Sequence, residues 1–332
     1  MTTPGRNLPL TTRILASLPG PRTLWAGLWA LLAVMPPVML TYVVRLSGHP
    51  AGLEFMLTGL RQAFVLAYML VLALWAGEKV QHDVEAATPA IAQLTAGNAR
   101  DEDVPPIQGL GGVTGPLVLT AITTAVVTVG LSDLHGWTVA LIMIPLEVVI
   151  NLPLMTLFWS GLALLAGLDR LGRRPLHLDR FPDDPSLGTR PIGGLAATAL
   201  WIFAAMTVPF LLVSIDNRVS VVIGLVIFLV GIGLFFLSMA RLHRQMTAAK
   251  HRYLASARAL YAEAFEPIKS SWTLTALAER APLLGAAKAL EDRALGIQEW
   301  PFDERTNARI VILISSVSLA AISRFVLGSL GL

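Results

Sequence analysis

Long apolar blocks alternate with short polar connections along this chain. Seven blocks are long enough, or nearly so, to cross a bilayer as helices: residues 24–44, 61–77, 113–131, 137–167, 191–214, 219–240 and 308–331. The second is the shortest, and residues 53–59 before it read as an interfacial stretch. The first has no small-residue cleavage site leading into a soluble domain, so it is expected to be a retained span.

The sixth block has no break at its far end. No proline occurs from Val219 to Phe265. Apolar residues continue at Leu242, Met246, Ala249, Tyr253, Ala257, Leu260 and Ala264, in steps of three and four that mark one stripe of a helix. At 1.5 Å per residue this helix is expected to project about 35 Å beyond the membrane, with Pro267 ending it. A second helical pattern returns through Leu274, Leu277, Leu284, Leu290 and Ile297, with Pro282 as its break or start. QEWPFDERT then leads into the last block, with Trp300 and Phe302 as interfacial anchors and Asp303 or Thr306 as its cap. The pattern divides the chain into a transmembrane domain (1–240), a helical stalk (241–306) and a C-terminal transmembrane helix (307–332).

Composition supports lipid as the solvent. Apolar residues make up 55% of the 332 residues and charged residues 14%, with mean hydropathy +0.66. A soluble domain carries roughly a quarter charged residues. The fold class expected is therefore an all-α polytopic transmembrane bundle of about seven spans with a cytoplasmic, coiled-coil-like hairpin. Arg6, Arg13 and Arg22 precede the first block. Lys79 and Arg100 follow the second, five arginines (Arg170, Arg173, Arg174, Arg180, Arg190) lie after the fourth, and Arg241, Arg244, Lys250 and Arg252 follow the sixth. The alternate connections hold only Arg45, Arg61 and Arg218. This asymmetry predicts a plasma-membrane protein with a cytoplasmic N-terminus and an extracytoplasmic C-terminus.

Charge and cysteine count narrow the chemistry. The net charge of +3 comes mostly from arginines at block ends, which gives no footprint for nucleic acid. There is no cysteine, so no disulfide, thiolate site or cysteine nucleophile. The six histidines form no HxH or HExxH pattern, and neither a metal nor a cofactor is expected. No phosphate-binding glycine loop, GxSxG or paired acid site supports an enzyme.

The candidate chemistry lies in LIMIPLEVVINLPLMTLFW. Glu147 and Asn151 are one helical turn apart and are bracketed by Pro145 and Pro153. A carboxylate at that depth costs about 2.5–3.5 kcal/mol, so it is expected to face water, a partner or a neighbouring subunit. Each proline frees a backbone carbonyl one turn earlier, that of Pro153 near Val149. Carboxylate, amide and carbonyls together are the ligands of a cation pathway. The plainer alternative places Glu147 near the extracytoplasmic interface, with Asn151 bonded to a neighbouring helix. Arg324 is the other charge within a block. It snorkels to the surface or pairs with Glu147. Arg170, Arg173, Arg174, Arg180 and Arg190 are either a self-paired, positive-inside loop or a contact for anionic lipid headgroups.

The loop RLGRRPLHLDRFPDDPSLGTRPIGG, the arm ending ALEDRALGIQEWPFDERT and the final block together resemble a group of prokaryotic multipass membrane proteins. The resemblance covers about the C-terminal half. That group has no assigned activity, so it implies a fold and transfers no functional residue. No motif of the well-described channels, such as a TVGYG filter, is present.

The function expected is an oligomeric ion-conducting channel or pore. Repeated by rotational symmetry, one Glu147 per chain becomes a ring of carboxylates, with Asn151 in support. The alternatives are a small-solute transporter using the proline-broken helices, and a sensor or scaffold signalling to a cytoplasmic partner through the stalk. The partners implied are the lipid bilayer, further copies of the chain and, in the last case, a cytoplasmic protein.

Overall fold

The computed structural model describes residues 9–46, 52–95, 112–135, 137–178, 184–213, 218–271, 273–302 and 304–329, apart from some side chains within the helices. Among the described residues the fold is all-α: nine helices and no strand. They are α1 (Leu10–Ser17), α2 (Arg22–Leu46), α3 (Gly52–Thr95), α4 (Thr114–His135), α5 (Trp137–Arg173), α6 (Arg190–Val213), α7 (Arg218–Ser271), α8 (Leu274–Gly296) and α9 (Glu304–Ser329). Each apolar block lies on one helix, α2 to α7 and α9, with α3 and α7 running well beyond theirs. By length and composition, Ala63–Thr95 and Met143–Arg173 are long and apolar enough to cross a membrane. Thr114–Val129, Arg190–Ala205 and Thr306–Leu319 are shorter apolar stretches.

The helices pack as neighbours in a connected bundle: α4 along α5, α2 along α3, α3 against α6 and α5, and α7 between α5, α6 and α9. Helix α3 starts at Gly52 and not near residue 61, so residues 53–59 belong to the helix. Nothing there breaks it, and the lone interior glycine, Gly59, costs only about 1 kcal/mol.

Two proline expectations are corrected. Helix α7 runs 54 residues, about 80 Å at 1.5 Å per residue, and passes through Pro267 to Ser271. Pro267 is on the exposed side, while the next residue, Ile268, is buried and carries the helix a further turn. Helix α8 begins at Leu274 and contains Pro282 in its interior.

The α7–α8 hairpin is held differently from the expected leucine stripe. Leu242, Met246, Ala249, Ala257 and Ala264 of α7 are buried as expected, but Leu260 is exposed. On α8 the buried residues are Ala287 and Ala294, followed by Ile297, whereas Leu274, Leu277 and Leu290 are exposed. Alanines seven residues apart on both helices let the backbones approach closely and turn the leucines to the flanks. Arg258 to Glu291 (3.3 Å) and Lys250 to Glu299 (3.2 Å) fix the antiparallel register.

The largest core gathers where the hairpin meets the bundle, around Leu94, Leu164, Leu168, Leu171, Leu187, Ile192 and Met239. The α5–α6 connection is bolted into it. Gln245 of α7 donates its amide to the carbonyls of Gly172 and Arg174 (both 2.7 Å) and accepts from the Leu176 N–H (3.1 Å). The His177 N–H reaches the Leu94 carbonyl at the end of α3 (2.9 Å), and the Gln298 N–H reaches Pro185 O (2.8 Å). Gly193 is required by contact: a Cβ there would stand 1.7 Å from the Pro301 carbonyl oxygen. Trp300 stacks on His243 (4.3 Å) and Phe302 on Phe235 (5.8 Å). Phe302 is buried, so it anchors the chain to α7 and not outward as expected from sequence.

Asp184 organises the turn before α6. Its carboxylate accepts from the N–H and hydroxyl of Ser186 and the N–H of Gly188, while Leu187 and Gly188 take left-handed φ values of 51° and 76°. Partial burial raises this carboxyl, but the Ser186 and Gly188 donors and the Arg190 charge outweigh it and hold it below its ordinary value of 3.8. A lowered folded-state value stabilises the fold above the unfolded value, and that contribution is lost as pH falls through the folded one. Asp184→Asn is therefore expected to cost about 1 kcal/mol near neutral pH. In thermal scans of the detergent-purified protein, the gap between variant and parent should narrow to nothing as pH falls below 3.8. A gap that is constant with pH contradicts this.

Candidate functional site

Glu147 lies in the eleventh position of the 37-residue helix α5. It is half-buried, and the Asn151 amide one turn later donates to its Oε2 at 3.3 Å. Asn151 is itself buried. The exposed stripe of this part of α5 carries Leu141, Pro145 and Val148. At 100° per residue, Glu147 lies about 100° round the helix from Val148 and about 160° from Pro145. The carboxylate is turned off that stripe. On another flank, Val149, Ile150 and Leu154 pack against Ala30 of α2 and Leu66 and Leu70 of α3.

The two prolines leave α5 unbroken, and they differ in setting. Pro145 is exposed and Pro153 buried. Pro153 has no N–H, so the Val149 carbonyl loses its helical donor. The Trp29 indole of α2 takes that donor's place, with Nε1 to Val149 O at 2.8 Å. The expectation that this carbonyl is an open ligand is corrected: it is already capped, and it fastens α2 to α5.

Helix α4 supplies a feature that sequence reasoning missed. Thr120, Thr124 and Thr128 are 4%, 6% and 7% exposed, whereas Leu117, Val118, Ile122, Val126 and Val129 are exposed. Since α4 packs along α5, the threonines form its buried face. The backbone of Gly115 lies on the Trp159 ring, where a Cβ would come within 2.3 Å. That contact sets the antiparallel register and puts Thr124 level with Ile150 and Asn151, and Thr128 level with Glu147. The Thr128 hydroxyl donates to the Thr124 carbonyl (2.8 Å). The buried hydroxyl oxygens of Thr120 and Thr124 have no hydrogen-bond partner. Further along α5, Thr156 and Ser160 are buried and bond back to the carbonyls of Leu152 (2.7 Å) and Thr156 (2.8 Å). At 100° per residue Thr156 and Ser160 lie about 140° and 180° round α5 from Asn151, on a different side of the helix. The four-residue spacing of threonines inside an apolar block is the sequence signal that marks α4.

The other expected site residues lie elsewhere. Arg173 bonds Asp169 at 2.7 Å, and Asp169 also holds Arg241 at 3.0 Å. Arg170 donates to the Ala166 carbonyl (3.2 Å), Arg174 offers its own carbonyl to Gln245, and the Arg190 charge acts on Asp184. Arg180 lies outside the described residues, as does the side chain of Arg324. Arg173 is about 39 Å along α5 from Glu147, so loop and carboxylate are separate places. Among the described residues, no group of three or more His, Asp or Glu could hold a metal ion. No protein-family model, no curated protein and no solved structure matches the chain.

The Trp29 latch is testable by a double-mutant cycle. Trp29→Phe removes the donor and is expected to cost about 1 kcal/mol or more beyond its packing change. Pro153→Ala restores the N–H that normally serves Val149, so the Trp29→Phe cost should shrink on that background. Equal costs on both backgrounds, read from denaturation in detergent, count against the latch.

Proposed function

We propose that this chain is a seven-span integral protein of the plasma membrane that conducts a small cation, with Glu147 as the charge-selecting group and Asn151 supporting it. In this reading α2 to α7 and α9 cross the bilayer. The N-terminus, the α5–α6 loop and the α7–α8 arm are cytoplasmic, and the C-terminus is extracytoplasmic. The observation that carries the reading is a carboxylate deep in an apolar helix, turned off the exposed stripe and bonded to a buried amide. Such a group is costly in hydrocarbon and belongs on a polar path. Repeated in further copies of the chain, one Glu147 per copy supplies a ring of carboxylates.

One observation favours a second reading, a sensor acting through the arm. Leu260, Leu277, Leu283 and Leu290 are exposed on a hairpin that stands in water if the topology is right. Such side chains invite a partner.

Reconstitution separates the two. In liposomes the parent should pass cations, and Glu147→Gln should reduce the flux at least tenfold. A parent that passes none, or a variant that passes as much as the parent, contradicts conduction. The first outcome directs attention to the arm.

A further inference from the structure

Helices α5 and α7 carry exposed apolar faces down to one shared group of arginines. We propose that Arg173 and Arg241 bind the phosphate of an acidic phospholipid whose chains lie on the α5 and α7 faces beside them. The inference rests on the membrane topology proposed above and not on conduction.

Asp169 holds both guanidiniums. Nε and Nη2 of Arg173 donate to its Oδ2 (3.0 and 2.7 Å), and Nε of Arg241 lies 3.0 Å from its Oδ1. One carboxylate neutralises one of the two charges, and most of the guanidinium N–H donors remain for a second anion. The two arginine side chains are 57% and 45% exposed. Arg170 and Arg244 are exposed on the same two helices and add positive charge. Helices α5 and α7 touch at this level, where a Cβ on Gly172 would stand 2.8 Å from the Arg241 Cβ. A phosphate is the anion whose oxygens match paired guanidiniums.

The faces above the pair decide the source of the phosphate. Val230, Leu234 and Leu237 are exposed and lie within about 40° of Arg241 round α7. On α5, exposed Phe158 and half-buried Leu162 lie within about 60° of Arg173. Because both arginines meet at Asp169, the two stripes end at one place. Val230 to Arg241 spans about 16 Å, close to the depth of one leaflet at roughly 15 Å. A free phosphate uses none of this apolar surface, whereas the chains of a phospholipid do. The apolar blocks end at residues 167 and 240, which puts both arginines at the cytoplasmic boundary in the proposed topology, where acidic headgroups attract arginine.

The experiment titrates the full-length protein in detergent with phosphatidylglycerol, phosphatidylcholine or inorganic phosphate while Tm is read. Phosphatidylglycerol is expected to raise the Tm of the parent by several degrees, and the other two to leave it unchanged. Arg173→Gln/Arg241→Gln should move the midpoint of that rise to about tenfold more lipid, and Arg173→Lys/Arg241→Lys should recover part of the loss. Asp169→Asn separates binding from bracing. It removes the competing carboxylate, so the basal Tm falls while the rise begins at less lipid. If the three residues only brace α5 against α7, Asp169→Asn and the glutamine pair both lower the basal Tm and leave the lipid midpoint where it was, which overturns the inference. No rise in the parent, or an equal rise with phosphatidylcholine or inorganic phosphate, also overturns it. A parent that shows the acidic-lipid rise yet passes no cation upholds this site and contradicts only the conducting reading.

Discussion

Helix α4 buries three threonines and exposes leucine, isoleucine and valine. A helix in water does the opposite, because apolar area removed from water is favourable by roughly 25 cal/mol per Å². The arrangement makes sense when the outer solvent is hydrocarbon. There the apolar face has nothing to gain from burial, and hydroxyls belong against another helix. Apolar exposure recurs on α2, with Leu28, Leu31 and Leu32 exposed, on α7 with Val226, Leu229 and Leu237, and on α9 with Val311, Ile312 and Leu319, although the buried residues there are chiefly apolar as well. The buried threonines of α4 and the capped carbonyl of Val149 are what such a solvent favours.

The other end of the molecule is held by polar contacts. Around the α5–α6 loop the chain is held by side-chain to backbone bonds from Gln245, by the Asp184 turn, and by ion pairs such as Arg241 with Asp169. The α7–α8 hairpin packs on alanine and exposes leucines such as Leu260, Leu277 and Leu290 among its charges. Helix α7 joins the two ends without a break. Its first half exposes valine and leucine, and its second half exposes arginine and glutamate. Gly193 and the aromatic group of Phe235, Phe302, Trp300 and His243 lie where the chain returns from the hairpin to the bundle. There the chain must turn back and approach α6 at backbone contact distance.

Much of this was legible in the residues. Each apolar block matches a helix to within two residues at its ends or lies inside one, the unbroken pattern from Val219 onward gave the long α7, and the Glu147–Asn151 spacing set the two one turn apart. What a single chain does not display is the partner across the interface. Pro153 announces a freed carbonyl, but nothing in α5 names Trp29 as its donor. Pro267 and Pro282 read as breaks, yet burial of Ile268 and the close alanine packing of Ala287 and Ala294 outweigh one lost hydrogen bond each. The leucines of α8 look like a core stripe because they are large, although the smaller residues beside them decide which side approaches α7. The threonines of α4 were passed over because threonine is unremarkable in an apolar block until its burial is known.

The central claim is that α4 shows its valine face to lipid and its threonine face to α5. The chain has no cysteine, so single cysteines report one site at a time. Spin labels at Val126→Cys and at Thr124→Cys, in the reconstituted protein, read collision with oxygen, which concentrates in hydrocarbon, against a water-soluble nickel complex. The account predicts high oxygen and low nickel accessibility at position 126, and low oxygen accessibility at 124. Ready collision with nickel at position 126 would show water on that face and contradict the account.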